Sequence, residues 1–349
     1  MRAALFIEPG RIETGDRPDP VISAPTDAIV RVVLACVCGS DLWYYRGDSP
    51  FEAGGPIGHE FVGIVEEVGG EVRSVSRGDL VIAPFAYSDG SCPHCRNGIT
   101  TACQNGGFFA AGGVDGGQGE AVRVPLAETT LVAVPGSAAG YDDATMRSLL
   151  TLSDVMATGH HAAVCAAVRA GQTVAVVGDG AVGLSAVLAA RRLGAERIVA
   201  LSRHPERQAL AREFGATDVV AARGEEAVAA LLELTGGVGV DAAMECVGTG
   251  QAMETAIAIA RPGSTVGYVG VPHGVELPVT SMFYRTIGVR GGGAPVRVYL
   301  PELLADVLDG SIDPGRVLDY ETGLDGIGDA YAAMDERRAI KSLVRVGSV

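Results

Sequence analysis

The stretch VAVVGDGAVG, residues 174–183, limits what this chain can fold into more than any other segment. Gly178, Gly180 and Gly183 stand in GxGxxG spacing. They follow a short β-branched run, TVAVVG, and open an apolar-periodic helix pattern, AVGLSAVLAARRLGA. Alone the motif is weak; between a strand and a helix it is the fingerprint of a dinucleotide-binding turn. The first glycine permits the tight turn, the second lets backbone approach a pyrophosphate, and the third lets helix and strand pack closely. The helix N-terminus then offers free N–H groups to the phosphates.

The rhythm on either side fits this reading. After residue 172 strands and helices alternate: RIVALS, PERQALAREFGAT, DVVAA, EEAVAALLELTGG, VDAAMECVG, GQAMETAIAIARPG and STVGYVGV. Such alternation predicts βαβ units and a doubly wound parallel sheet. The first half is strand-rich instead, with β-branched runs at 27–37, 60–69 and 78–85 separated by glycine-dense turns. A helix, YLPELLADVLDG, and a strand, KSLVRVG, follow near the end. The fold class is α/β, a β-rich domain plus a doubly wound domain. At 349 residues the chain has the length for two domains.

Composition narrows the function. A net charge of −15 argues against nucleic acid and anionic membranes as partners. No apolar run reaches the roughly 18 residues of a membrane span, and the N-terminus lacks the pattern of a signal peptide, so a cytoplasmic protein is expected. Seven cysteines, an odd count with one CxxC pair, favour thiolate ligands over disulfides.

The end of the second strand of the alternating region selects the dinucleotide. NAD sites place Asp or Glu there, to bond the ribose 2′-hydroxyl. Here the chain reads Ser202-Arg203-His204, with Glu206 and Arg207 just beyond. A hydroxyl and a guanidinium suit a 2′-phosphate, so NADP(H) is expected; the competing reading of Arg203 is a solvated loop residue.

Four other fragments carry metal-ligand residue types: CGSD (38–41), GHE (58–60), SDGSCPHCRNGITTAC (88–103) and SDVMATGHHA (153–162). Singly they are ordinary. A lone Cys38 is more often a small buried hydrophobe, and Asp154 alone could cap a helix. Together, ahead of a dinucleotide fold, they make the chain resemble a zinc-dependent alcohol dehydrogenase of the medium-chain dehydrogenase/reductase superfamily. The motifs are closest to the bacterial NADP-dependent secondary alcohol dehydrogenases.

The resemblance runs along the whole chain. It implies a GroES-like β-rich catalytic domain over 1–155 and 290–349 and a Rossmann NADP-binding domain over 156–289. It implies a catalytic zinc on Cys38, His59 and Asp154, with Glu60 at the adjoining position, and Asp41 as the carboxylate that orients His59. It implies a second, structural zinc. Spacing puts the first ligand of that set at Asp89, ahead of Cys92, Cys95 and Cys103. His94 is the rival fourth ligand, and a metal-free loop is the remaining reading.

For the reaction, the resemblance implies hydride transfer between NADP(H) and a secondary alcohol, ketone or aldehyde, with zinc as Lewis acid. Ser40 hands on the alcohol proton. Where relatives often continue this relay through a histidine, the chain has Trp43, which cannot accept a proton. Trp43, Phe85, Val271 and Val289 are expected as pocket walls. Thr158, Ala181, Val182, Val269 and Val271 are expected beside the cofactor, and Lys341, the one lysine, at its pyrophosphate. Gly39 stands where some relatives carry a basic phosphate contact. His160 and His161 receive no catalytic role. A homodimer or homotetramer is implied. The competing functions are a polyol or sugar dehydrogenase of the same superfamily and a non-catalytic zinc- and NADPH-binding sensor. A zinc-free quinone or enoyl reductase would lack the Cys38-His59-Asp154 set.

Overall fold

The computed structural model describes residues 1–348. The chain divides into two units, one made of Met1–Asp154 with the residues from Pro295 on, the other of Val155–Ala294. The strand Gly288–Gly291 therefore stays whole in the second unit, where the expected edge at 289/290 would have cut it.

The second unit is built on six strands: Thr173–Val177, Arg197–Leu201, Asp218–Val220, Val240–Glu245, Ala260–Tyr268 and Gly288–Gly291. Every pairing is parallel, in the order third, second, first, fourth, fifth, sixth. This is the doubly wound order whose switch point lies beside the first strand. The first strand is buried from Val174 onward, as its unbroken β-branched run requires. It ends at Gly178, whose φ of +120° a residue with a side chain rarely adopts. A Cβ on Gly183 would meet the Gly178 carbonyl oxygen at 2.1 Å, so the third glycine is fixed by packing. Helix Val155–Cys165 packs on helix Ala181–Arg192 in the same unit, and Gly159 permits the approach: a Cβ there would lie 2.5 Å from the Ala186 nitrogen.

The first unit carries a seven-stranded sheet. Its axis is Ala28–Cys36, almost wholly buried, with Glu60–Val68, Ala121–Val124 and Lys341–Arg345 antiparallel to it. The expected strand at 78–85 is confined to Leu80–Ala83. Gly78 and Asp79 are held in a turn against Val65 and Ser76, and Phe85 leaves the sheet to bond the Ser153 carbonyl. Among the described residues no helix is long and apolar enough to cross a membrane.

Candidate functional site

The register of the first unit's sheet assembles the first cluster. Cys36 pairs with Glu60 across neighbouring antiparallel strands. Cys38, just past the end of one strand, and His59, just before the start of the other, therefore emerge at the same sheet edge. Asp154 arrives from the turn after helix Asp143–Thr151. One potential ligand atom from each of Cys38, His59, Glu60 and Asp154 lies within 4.8 Å of all the others.

The geometry within the cluster suits a tetrahedral cation. Cys38 Sγ is 3.5 Å and His59 Nε2 3.4 Å from Asp154 Oδ2. A tetrahedron of bonds about 2.0–2.3 Å long has edges of roughly 3.5 Å. His59 turns Nδ1 to Asp41 Oδ1 at 3.3 Å, which aims Nε2 into the cluster. Asp41 is fixed in turn, because its Oδ2 accepts the Cys38 N–H at 3.0 Å. Burial, with Asp154 and Glu60 adding to it, pushes the Cys38 thiol up to about 11. Burial opposes a charged His59, but Asp41, Cys38 and hydrogen bonds outweigh it and hold the imidazole well above its ordinary value. The set is electron-rich, with the thiol and carboxylate buried and the imidazole half-buried, and it fits a divalent zinc ion that would displace the protons.

Glu60 is part of the cluster but has partners of its own. Lys341 Nζ donates to Glu60 Oε1 at 2.6 Å and to the Val37 carbonyl at 3.0 Å, and the Cys36 thiol donates to Glu60 Oε2 at 3.2 Å. Lys341 is 1% exposed. Lys341, expected at a pyrophosphate, has its ammonium paired with the buried Glu60 carboxylate. Burial works against the charge on Lys341, but Cys36 and Glu60 outweigh it, so the lysine keeps its proton.

The second cluster is Asp89, Cys92, Cys95 and Cys103, whose ligand atoms also lie within 4.8 Å of one another. Cys92 Sγ and Cys103 Sγ are 3.9 Å apart, close to the ~3.8 Å edge of a zinc–thiolate tetrahedron. Asp89 Oδ1 accepts the N–H groups of Ser91 and Cys92 at 2.8 and 3.0 Å, and Oδ2 accepts Asn105 Nδ2 at 2.6 Å. The Cys92 N–H first, then Asn105 and Ser91, hold Asp89 far below the usual carboxylate range. The Cys95 N–H, with the backbone at Gln104, draws the Cys92 thiol down to about 7. His94 is exposed and stands outside the cluster.

Near the first cluster, Ser40 is half-buried at the head of helix Asp41–Arg46, and Trp43 sits one turn on. The Phe85 ring lies 6.1 Å from the His59 ring, edge-on, and stacks on Phe108. In the second unit, Thr158 is buried on helix Val155–Cys165, and Ala181 and Val182 open the next helix. The Val269 N–H donates to the Glu245 carbonyl; Val271 is exposed and Val289 half-buried. Ser202 is buried, Arg203 exposed and Arg207 half-buried.

One residue of this unit escaped the sequence reading. Asp179, the middle residue of Gly178-Asp179-Gly180, accepts the Ser202 hydroxyl at 2.8 Å and pairs with Arg207 at 3.5 Å. An acidic side chain inside the glycine motif was the signal available for it.

Comparison with known proteins agrees with this construction. Residues 24–136 match the alcohol dehydrogenase GroES-like domain and residues 181–305 the zinc-binding dehydrogenase domain. A probable zinc-binding alcohol dehydrogenase of Mycobacterium tuberculosis is 35% identical over 97% of this chain and 86% of its own length. The solved alcohol dehydrogenase of Thermus sp. ATN1 superposes with a TM-score of 0.92 at 33% identity, covering 99% of this chain and 100% of that one. A putative zinc-binding dehydrogenase of Sinorhizobium meliloti 1021, solved bound to NADP, superposes with a TM-score of 0.82 at 26% identity, covering 99% of this chain and 98% of that one. With its GroES-like and Rossmann units, its ligand-type cluster and these relatives, the chain belongs to the zinc-dependent alcohol dehydrogenases of the medium-chain dehydrogenase/reductase superfamily.

Proposed function

We propose that this alcohol dehydrogenase transfers hydride between NADP(H) and a secondary alcohol or ketone, and that Cys38, His59 and Asp154 hold its catalytic zinc. The observation that carries the reading is the buried meeting of a thiol, an imidazole aimed by Asp41, and a carboxylate at one sheet edge. Zinc there supplies Lewis acidity toward an alcohol or carbonyl oxygen. Ser40 carries the alcohol proton as a hydroxyl donor and acceptor. With Trp43 in place of a relay histidine, the relay within the chain ends at Ser40, and a bound cofactor's ribose hydroxyl or water would take the proton on. Trp43 and Phe85 give the substrate apolar flanks, which favours small ketones over polyols. The chain assembles as a homodimer or homotetramer; the exposed Phe283 and Tyr284 on helix Val279–Arg285 supply apolar surface for that contact.

NADP over NAD rests on Ser202 and Arg203, which stand at the end of the second strand in place of an acidic residue, and on the NADP-bound relative. With a panel of small ketones, NADPH is expected to be consumed faster than NADH. Arg203→Ala should raise KM for NADPH about tenfold and leave KM for NADH within about twofold, since one charge-assisted hydrogen bond is lost. Tight NADPH binding with a flat trace across the panel would reject turnover and favour a sensor. Equal rates with both cofactors would reject the NADP preference.

We assign Asp89, Cys92, Cys95 and Cys103 to a structural zinc. Three thiolates and a carboxylate carry the charge of the four-thiolate form, and a carboxylate is an acceptable fourth ligand. Elemental mass spectrometry should find about two zinc ions per chain, and Asp89→Ala should lose one. Retention of both ions would exclude Asp89 as a ligand. A single ion in the wild type, unchanged by the substitution, would mean that the loop is metal-free.

A further inference from the structure

In the second unit, the Asp179 carboxylate reaches the end of the second strand, where NAD sites place an acid. Ser202 stands at the end of the second strand, where ribose discrimination takes place in this fold. Its side chain is buried, and its single hydroxyl proton is given to Asp179 Oδ2 at 2.8 Å. A hydroxyl has one proton to donate, so Ser202 in this state meets a ligand as an acceptor. Its backbone is fixed from two sides: the N–H donates to Val220 O at 3.0 Å, and Gln208 Nε2 donates to Ser202 O at 2.8 Å. Arg207 Nη1 lies 3.5 Å from Asp179 Oδ1 and 3.4 Å from the Asp179 carbonyl oxygen. The side chains of Asp179 and Arg207 are only 18% and 13% exposed, so water screens the pair incompletely.

We propose that Asp179 is a specificity-determining residue that sets the ratio in which this site takes dinucleotides with and without a 2′-phosphate. The carboxylate acts on both sides of that ratio. It accepts a hydrogen bond from a free 2′-hydroxyl, the task of the missing strand-end acid. It repels a 2′-phosphate, and it pairs with Arg207, which leaves the exposed Arg203, next in the chain after Ser202, as the cation for that group. The glycine motif therefore contains an acid that holds down an NADP preference rather than building it. This rests on the NADP reading of Ser202 and Arg203.

The test uses isothermal titration of the full chain with 2′,5′-ADP and with 5′-AMP, which report the ribose end without turnover. The wild-type ratio of the two affinities tests the NADP reading by itself: preference for 5′-AMP would overturn that reading. The change between variant and wild type tests Asp179. Asp179→Asn, nearly isosteric, should strengthen 2′,5′-ADP binding about tenfold, the low end of what one charge within 4–6 Å does, while 5′-AMP binding weakens. Asp179→Ser removes the same charge with a smaller side chain and should shift the ratio in the same direction, which covers an asparagine variant that fails to fold. A ratio within about twofold of wild type, opposite shifts in the two variants, or joint loss of both ligands would overturn the proposal; the last would make Asp179 a structural brace of the glycine turn.

Discussion

Cys38→Ser is expected to lower kcat/KM by about a thousandfold and to remove one zinc ion per chain. The two readouts belong together. Lewis-acid stabilisation by a bound metal is worth several kcal/mol in the transition state, and each ~1.4 kcal/mol is a factor of ten in rate. The serine hydroxyl is a far poorer zinc ligand than a thiolate, so the cluster keeps an imidazole and a carboxylate but loses its sulfur. The fold should survive, because Cys38 lies beyond the end of strand Ala28–Cys36 and takes no part in the ladder. Full zinc content with lost activity would mean that Cys38 serves otherwise than as a ligand. Undiminished activity would remove the cluster from the reaction.

Lys341→Met should be the most destabilising single substitution near the site. It leaves Glu60, buried at 0% exposure, without its ammonium partner at 2.6 Å. Breaking a buried pair on one side costs about 3–5 kcal/mol, because the remaining charge keeps its desolvation penalty. For a unit of this size that is a fall in Tm of about 6–20 °C. The double variant Lys341→Met, Glu60→Gln should recover at least half of the loss, since a neutral amide has no charge to strand. Calorimetric melting checks both. A Lys341→Met protein that melts like wild type but binds NADPH weakly would restore the pyrophosphate role expected from resemblance.

Lys341 and Cys38 differ in how much of their surroundings the sequence carries. The sequence offers ligand residue types in short motifs, with Cys92 and Cys95 three apart and His59 in GHE; the resemblance assigns them to zinc, and the cysteine count favours thiolates over disulfides. The glycine motif is likewise local, because Gly178 and Gly183 answer to one turn and one helix–strand contact. The alternation of strands with helices after residue 172 points to the parallel sheet, because each parallel pair needs a crossover helix. The glycine turn and the pattern of each strand and helix were legible because each depends on neighbours close in the chain.

What the tertiary structure alone decided involves partners far apart in the chain. Lys341 and Glu60 are brought together by a strand from the C-terminal end lying beside Ala28–Cys36, with Glu60 on that strand's other side. The resemblance implied a phosphate for the lysine; in the fold, burial of both charges pairs it with Glu60. Asp179, Ser202 and Arg207 meet because parallel pairing sets the ends of the first two strands side by side. In sequence they read as a glycine-loop acid and a basic strand end, two unrelated features. Sequence determined which groups could bind a metal or a dinucleotide. Only the packed sheet decided which charges neutralise one another, because desolvation acts on distance in space and takes no account of separation along the chain.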